Sequence, residues 1–134
     1  MERVKNKYPK NHMGYIVGQI STVLAEILLS ETQVVVLSEA SLEKNLNNHP
    51  DLLPEDYLKL DEIIGKSHFV CQDGTHTVAI AIEYTTLYHY ALKSTQTGEA
   101  IFLTSFRKTS IKDVNRFRNR AKKGKVNILK DTLP

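Results

Sequence analysis

SHFVCQDGTHTVAIAIEY, residues 67–84, alternates apolar and polar side chains on either side of Asp73-Gly74. A period of two around a pair that tolerates positive φ is the pattern of an antiparallel hairpin, so this stretch puts a sheet in the second half of the chain. Further along, residues 86–94 (TLYHYALKS) and 100–106 (AIFLTSF) flank a polar QTGE segment and predict a second hairpin. Within residues 86–93 the alternation places Tyr88, Tyr90 and Leu92 on one face and Leu87, His89, Ala91 and Lys93 on the other. The tyrosine face is the one expected to cover the core. His89 and Lys93 then point towards whatever the opposite face meets.

Beyond the second hairpin the chain becomes basic. Arg107 to Lys130 holds ten of the 18 Lys and Arg residues and one acid, Asp113. Ser110 and Asp113 resemble an N-cap pair for a final helix, on which Ile111, Val114, Phe117 and Ala121 share a face. Acids gather instead between Glu39 and Glu62, so the net charge of +3 hides an electrically polar molecule.

Towards the N-terminus, residues 54–64 read as a helix with Pro54 in its first turn and Gly65 as its left-handed terminator. A helix over residues 39–48 precedes it, with Ser38 as N-cap, Leu42 and Leu46 inward, and Pro50 after its end. QVVVL, residues 33–37, is a β-branched run and reads as a strand. From Gly14 to Ser30 the residues Ile16, Ile20, Val23, Leu24, Ile27 and Leu28 recur at helical spacing, predicting a helix. Residues 1–13 read as irregular or as a linker, and 14–134 as a single domain. The expected fold is α+β: N-terminal helices packed on a four- to five-stranded antiparallel sheet, with a basic C-terminal helix.

A chain of 134 residues, 41% hydrophobic and 25% charged, has the composition of a folded globular domain. Its single cysteine, Cys71, excludes an intrachain disulfide and a cysteine metal site, and its apolar neighbours predict a buried thiol. His68 and His76, the closest histidine pair, flank the expected turn, so no metal site is expected. There is no membrane-length apolar run and no secretory leader pattern, which points to the cytoplasm. The chain lacks a Gly-rich phosphate loop, HExxH, an EF-hand loop and GxSxG, so nothing in it supports nucleotide hydrolysis, metalloprotease or serine-hydrolase chemistry.

Three residue types suggest a site. His49 ends the 39–48 helix, where backbone carbonyls favour an imidazolium able to give up a proton. In LTSFRK, Thr104 and Ser105 fall on opposite faces with Arg107 on the Ser105 side, a pairing of hydroxyl and guanidinium suited to a phosphate. The basic helix adds a surface for phosphate neutralisation, and its narrow apolar stripe fits docking on the sheet better than a membrane.

Residues 35–70 (VVLSEASLEKNLNNHPDLLPEDYLKLDEIIGKSHFV) and 87–110 (LYHYALKSTQTGEAIFLTSFRKTS) together resemble the C-terminal domain of phage Mu-type minor head proteins and related prophage and toxin chains. That domain looks like a branch of the barnase, EndoU, colicin and RelE class of ribonuclease folds. The resemblance spans roughly residues 33 to 110. It implies a metal-independent endoribonuclease without cofactor, in which the RNA 2′-OH attacks its own phosphodiester to leave a 2′,3′-cyclic phosphate. His49 matches the helix histidine, Thr104 the last-strand hydroxyl and Arg107 the basic residue after it. Glu39, Lys44 and His89 are the candidates for a partner to His49. Lys93, Ser105, Lys108, Arg116 and Arg120 are the expected substrate-binding set. RNA is the implied ligand, with an immunity protein or a phage structural protein as partner. The resemblance also implies a phage particle or a target cytoplasm as alternative locations. The competing expectation is a phage head assembly or nucleic-acid-binding module that keeps the fold without the chemistry.

Overall fold

In the computed structural model, which describes residues 1–134, the chain runs α1 (Glu2–Lys7), β1 (Tyr15–Gln19), α2 (Thr22–Ile27), β2 (Val34–Leu37), α3 (Glu39–Asn48), α4 (Pro54–Leu58), α5 (Leu60–Ile64), β3 (Phe69–Asp73), β4 (His76–Glu83), β5 (Thr86–Ser94), β6 (Ile101–Thr109), α6 (Ile111–Lys122) and β7 (Asn127–Asp131). The strands form one mixed sheet in the order β1-β2-β6-β5-β4-β3-β7. Every neighbouring pair is antiparallel except β2 and β6, which run parallel.

The expected four- to five-stranded antiparallel sheet with N-terminal helices is therefore corrected to seven strands, one parallel pair and six helices. The added strands lie at the ends of the sheet. The 14–30 segment, expected as a helix, divides into β1 and the short helix α2, whose N-cap Ser21 accepts a hydrogen bond from the Leu24 backbone N–H. The apolar spacing misleads because Val17 and Ile20 are buried from the strand side while Leu24 and Leu28 are buried from the helix. Gly14 and Gly18 settle the choice. A Cβ on Gly14 would stand 2.4 Å from the Leu37 carbonyl oxygen, and one on Gly18 would stand 3.1 Å from Asp61 Cα, so β1 lies close against β2 and α5. Residues 1–13, expected as irregular, begin with α1, and Val4 and Tyr8 are buried in the main core.

Smaller corrections follow the same logic. The 54–64 helix breaks at Lys59 into α4 and α5, and Gly65 ends it right-handed at φ −68° rather than left-handed. The first hairpin turns at Gly74-Thr75, with Asp73 paired to His76. The parallel pair is short, Val35 with Ile101 and Val36 with Phe102, and leaves the rest of that edge of β6 without a strand. Helix α3 covers it: Asn45 Oδ1 accepts the Phe106 N–H at 2.9 Å and Asn45 Nδ2 donates to the Tyr57 hydroxyl at 2.8 Å.

The two faces of the sheet bury unequal cores. A cluster of 25 buried residues, including Tyr57, Leu60, Tyr88, Tyr90 and Phe106, lies under α1 to α5. A cluster of nine, including Phe69, Cys71, Ile80, Val114 and Phe117, lies under α6 and the C-terminal segment. Tyr88, Tyr90 and Leu92 belong to the larger core and Ala91 to the smaller, as the alternation in β5 requires. Cys71 is a free, buried thiol, pushed up to about 12 by desolvation. No helix is long and apolar enough to cross a membrane.

Candidate functional site

The site grows from the register of two strands. Pairing of β5 with β6 sets His89 opposite Arg107 and Leu87 opposite Thr109. Directly paired residues share a face, so His89, Arg107 and Thr109 all lie on the α6 side of the sheet. Strand β6 passes into α6 through Ser110, and the helix folds back far enough for Asp113 to reach this row. Asp113 Oδ2 accepts from Arg107 Nη2 and from the Thr109 hydroxyl, each at 2.9 Å, while its Oδ1 accepts from Arg116 Nη2 at 2.6 Å and Nε at 3.1 Å. Arg107 Nη2 also lies 3.0 Å from His89 Nδ1, and Asp113 Oδ2 lies 3.3 Å from the same nitrogen.

These contacts fix the charge states. The His89 contact, the hydrogen bonds from Arg116 and Thr109 and the charge of Arg107 hold the Asp113 carboxyl far below its usual range. His89 is 7% exposed, its ring 6.0 Å from that of Phe117. Burial pulls its imidazole below the ordinary 6.5 in spite of the opposing hydrogen bond to Asp113. With the ring neutral, Nδ1 accepts from the permanently charged Arg107; on protonation it would donate to Asp113.

This network forms part of the wall of an open cleft of about 460 Å³ lined by Arg107, Lys108, Thr109, Ser110, Lys112, Asp113 and Arg116, none of them hydrophobic. Arg107, Lys112 and Arg116 face one carboxylate, and both oxygens of that carboxylate are already occupied by Arg107, Thr109 and Arg116. Ser110 takes the N-cap position of α6, but its side chain makes no capping bond, and Asp113 turns into the network instead of completing the expected cap pair.

The sequence candidates are distributed unevenly about this cleft. Arg107, Lys108 and Arg116 line it. Lys108, however, pairs with Tyr88, so its side chain lies on the tyrosine face, its Nζ 3.6 Å from Asp56 Oδ2. His49 is the C-cap of α3, makes no side-chain hydrogen bond and is not part of the cleft lining. Thr104 is the extra residue of a β-bulge in β6, and its hydroxyl donates to the Ala91 carbonyl at 3.2 Å. Ser105, paired with Ala91, faces the α6 side without lining the cleft. Lys93 shares the face of His89 but stands four residues, about 13 Å, along the strand. Arg120 is engaged at the other end of α6, where it donates to both oxygens of Asp73 at 3.0 and 3.2 Å.

Of the partners considered for His49, only His89 contacts Arg107. Glu39 accepts from the Tyr15 hydroxyl at 2.7 Å and from Lys10 at 2.9 Å, and these bonds hold its carboxyl down at about 2. Lys44 is exposed on α3 beside Ala40 and Asn48.

Asp113, Thr109 and Lys112 were missed as site residues. The signal for Thr109 was available, since continuing the alternation past Arg107 puts it on the same face. For Asp113 the cap reading competed with a role in the network, and only the position of α6 over the sheet decides between them. Compared with protein-family models, curated proteins and solved structures, the chain matches none of them.

Proposed function

We propose that the chain is a polynucleotide-binding module that holds the phosphodiester backbone in the cleft between β6 and α6 without cleaving it. The observation that carries this reading is the cleft lining: Arg107, Lys108, Lys112 and Arg116 around a wall without a hydrophobic residue. Phosphate oxygens are anionic and only accept hydrogen bonds, so a concavity of charged donors is complementary to them while an apolar metabolite would find nothing to bury. The uncapped N-terminus of α6 adds backbone N–H groups of the matching polarity.

Three features favour binding over chemistry. Transesterification needs a base and an acid that both reach the reacting phosphate. The imidazole of His89 is buried, His49 does not line the cleft, and the Thr104 hydroxyl is occupied within the sheet. Titrating the chain into fluorescein-labelled RNA between roughly 50 and 200 mM salt should give a straight log–log fall in affinity, with a slope near −0.7 for each phosphate neutralised. Total RNA incubated with the chain in EDTA should stay intact. Absent or salt-insensitive binding would refute the module, and 2′,3′-cyclic phosphate ends would replace it with a ribonuclease.

A further inference from the structure

At the cleft end of the sheet the β4–β5 hairpin turns through Tyr84 and Thr85. Glu83 pairs with Thr86, and Ile82 and Thr109 both pair with Leu87, so Tyr84 stands two residues of strand rise, about 7 Å, beyond the level of Thr109, at the end of a strand two places from β6. Its side chain is 83% exposed, and its backbone is left-handed at φ 57°. Gly or Asn would occupy such a turn position at lower conformational cost, and an exposed aromatic ring there gains nothing from burial. Leu29, the other non-glycine residue with positive φ, is a different case, because it closes α2 in the left-handed step common after helices.

Two lysines and the acid between them connect the cleft to this ring. Lys108 lines the cleft and approaches Asp56 of α4 at 3.6 Å. Three residues on, Lys59 caps α4 and holds its Nζ 5.6 Å from the centroid of Tyr84. A run of contacts thus leads from the cleft lining over the end of the sheet, through Lys108, Asp56 and Lys59, to an exposed aromatic face, with a lysine on either side of the one acid, Asp56.

Building on the polynucleotide reading above, we infer that the ligand is single-stranded, with Tyr84 stacking an unpaired base while the cleft holds the neighbouring phosphates. Charged grooves joined to aromatic platforms suit single strands because every unpaired base offers a π-face, whereas in a duplex those faces are occupied by neighbouring bases. The strained turn then has a reason: it holds the ring out from the sheet, where a base can reach it.

Two variants test this against a single-stranded oligouridylate and an RNA hairpin duplex of equal length. Tyr84→Asn relieves the left-handed turn, so its melting temperature should equal or exceed that of the unaltered chain. Its affinity for the single strand should drop roughly 5- to 150-fold, the span of one lost base stack. Its duplex affinity and its salt slope should not change. The chain contains no Trp, so Tyr84→Trp makes a lone reporter whose emission should be quenched on single-strand binding. Single-strand affinity unchanged in Tyr84→Asn, an equal loss on the duplex, or an unquenched Trp at saturation would each overturn the inference while leaving phosphate binding at the cleft in place. Absence of salt-sensitive binding by the unaltered chain would overturn both.

Discussion

The two faces of the sheet are built by different means. Under α1 to α5 the tyrosine face buries 25 residues, and its polar groups serve the packing: Tyr88 donates to Asp56 at 2.5 Å and Asn45 closes the edge of β6. Under α6 the apolar cluster has only nine residues, and ion pairs fasten the helix to its surroundings: Asp113 with Arg107, Arg120 with Asp73, Arg118 with Asp131. The comparison teaches that a high density of arginine is not the same as a high density of available charge. Arg118 and Arg120 are engaged in holding the helix down, Arg107 and Arg116 are paired with Asp113, and Lys112 in the first turn of α6 is the cleft cation with no acid partner.

The hardest blow to this division should fall on the larger core. Phe106 packs edge-on to Tyr57 at 5.5 Å and stacks on Tyr88 at 5.4 Å between ring centroids. Phe106→Ala should cost about 3 to 5 kcal/mol in urea unfolding, because a full aromatic volume is lost from a packed site.

On the α6 face the effect should be smaller and its sign should differ between readouts. Asp113→Asn should cost about 2 kcal/mol, since charge-assisted hydrogen bonds from Arg107, Thr109 and Arg116 are weakened. The same change removes the cleft's only carboxylate, so RNA affinity should rise. A stability loss together with weaker binding would mean that Asp113 orders the cleft more than it opposes the ligand.

A third, milder effect concerns pH. The His89 imidazole lies below its ordinary 6.5 in the folded chain, so the unfolded chain takes up the proton first as pH falls. Stability should therefore be full above 6.5 and decline as pH drops below it. Asp113 adds its own loss only at lower pH, below its unfolded value near 3.8. His89→Gln should flatten the melting temperature between about pH 7 and 5, leaving the part due to His68, which burial also depresses.

How far the residues announced all this follows from how local each feature is. The hairpins of β3 to β6, helix α3 with its Ser38 cap and the split of β5 into a tyrosine face and a His89 face depend on neighbours in sequence, and periodicity exposes them. Strand β1 does not, because Ile16, Ile20 and Leu24 mimic a helical stripe and only the close approach of Gly14 to Leu37 shows otherwise. Strand β7 was hidden in the basic tail after Gly124, where Asn127 to Asp131 has one half-buried residue and no apolar alternation. Arg107, Lys108 and Arg116 were identifiable from charge, while the exclusion of His49 and Thr104 from the cleft rests on where α3 runs and on a bulge at Thr104.

The most direct measurement is the salt dependence of RNA binding in Lys112→Gln, a change at an exposed residue of the cleft with no packing role. If the cleft holds phosphates, the slope of log affinity against log salt should become less negative by about 0.7, with stability unchanged within about 0.5 kcal/mol. A slope identical to that of the unaltered chain would contradict phosphate binding at the β6–α6 junction.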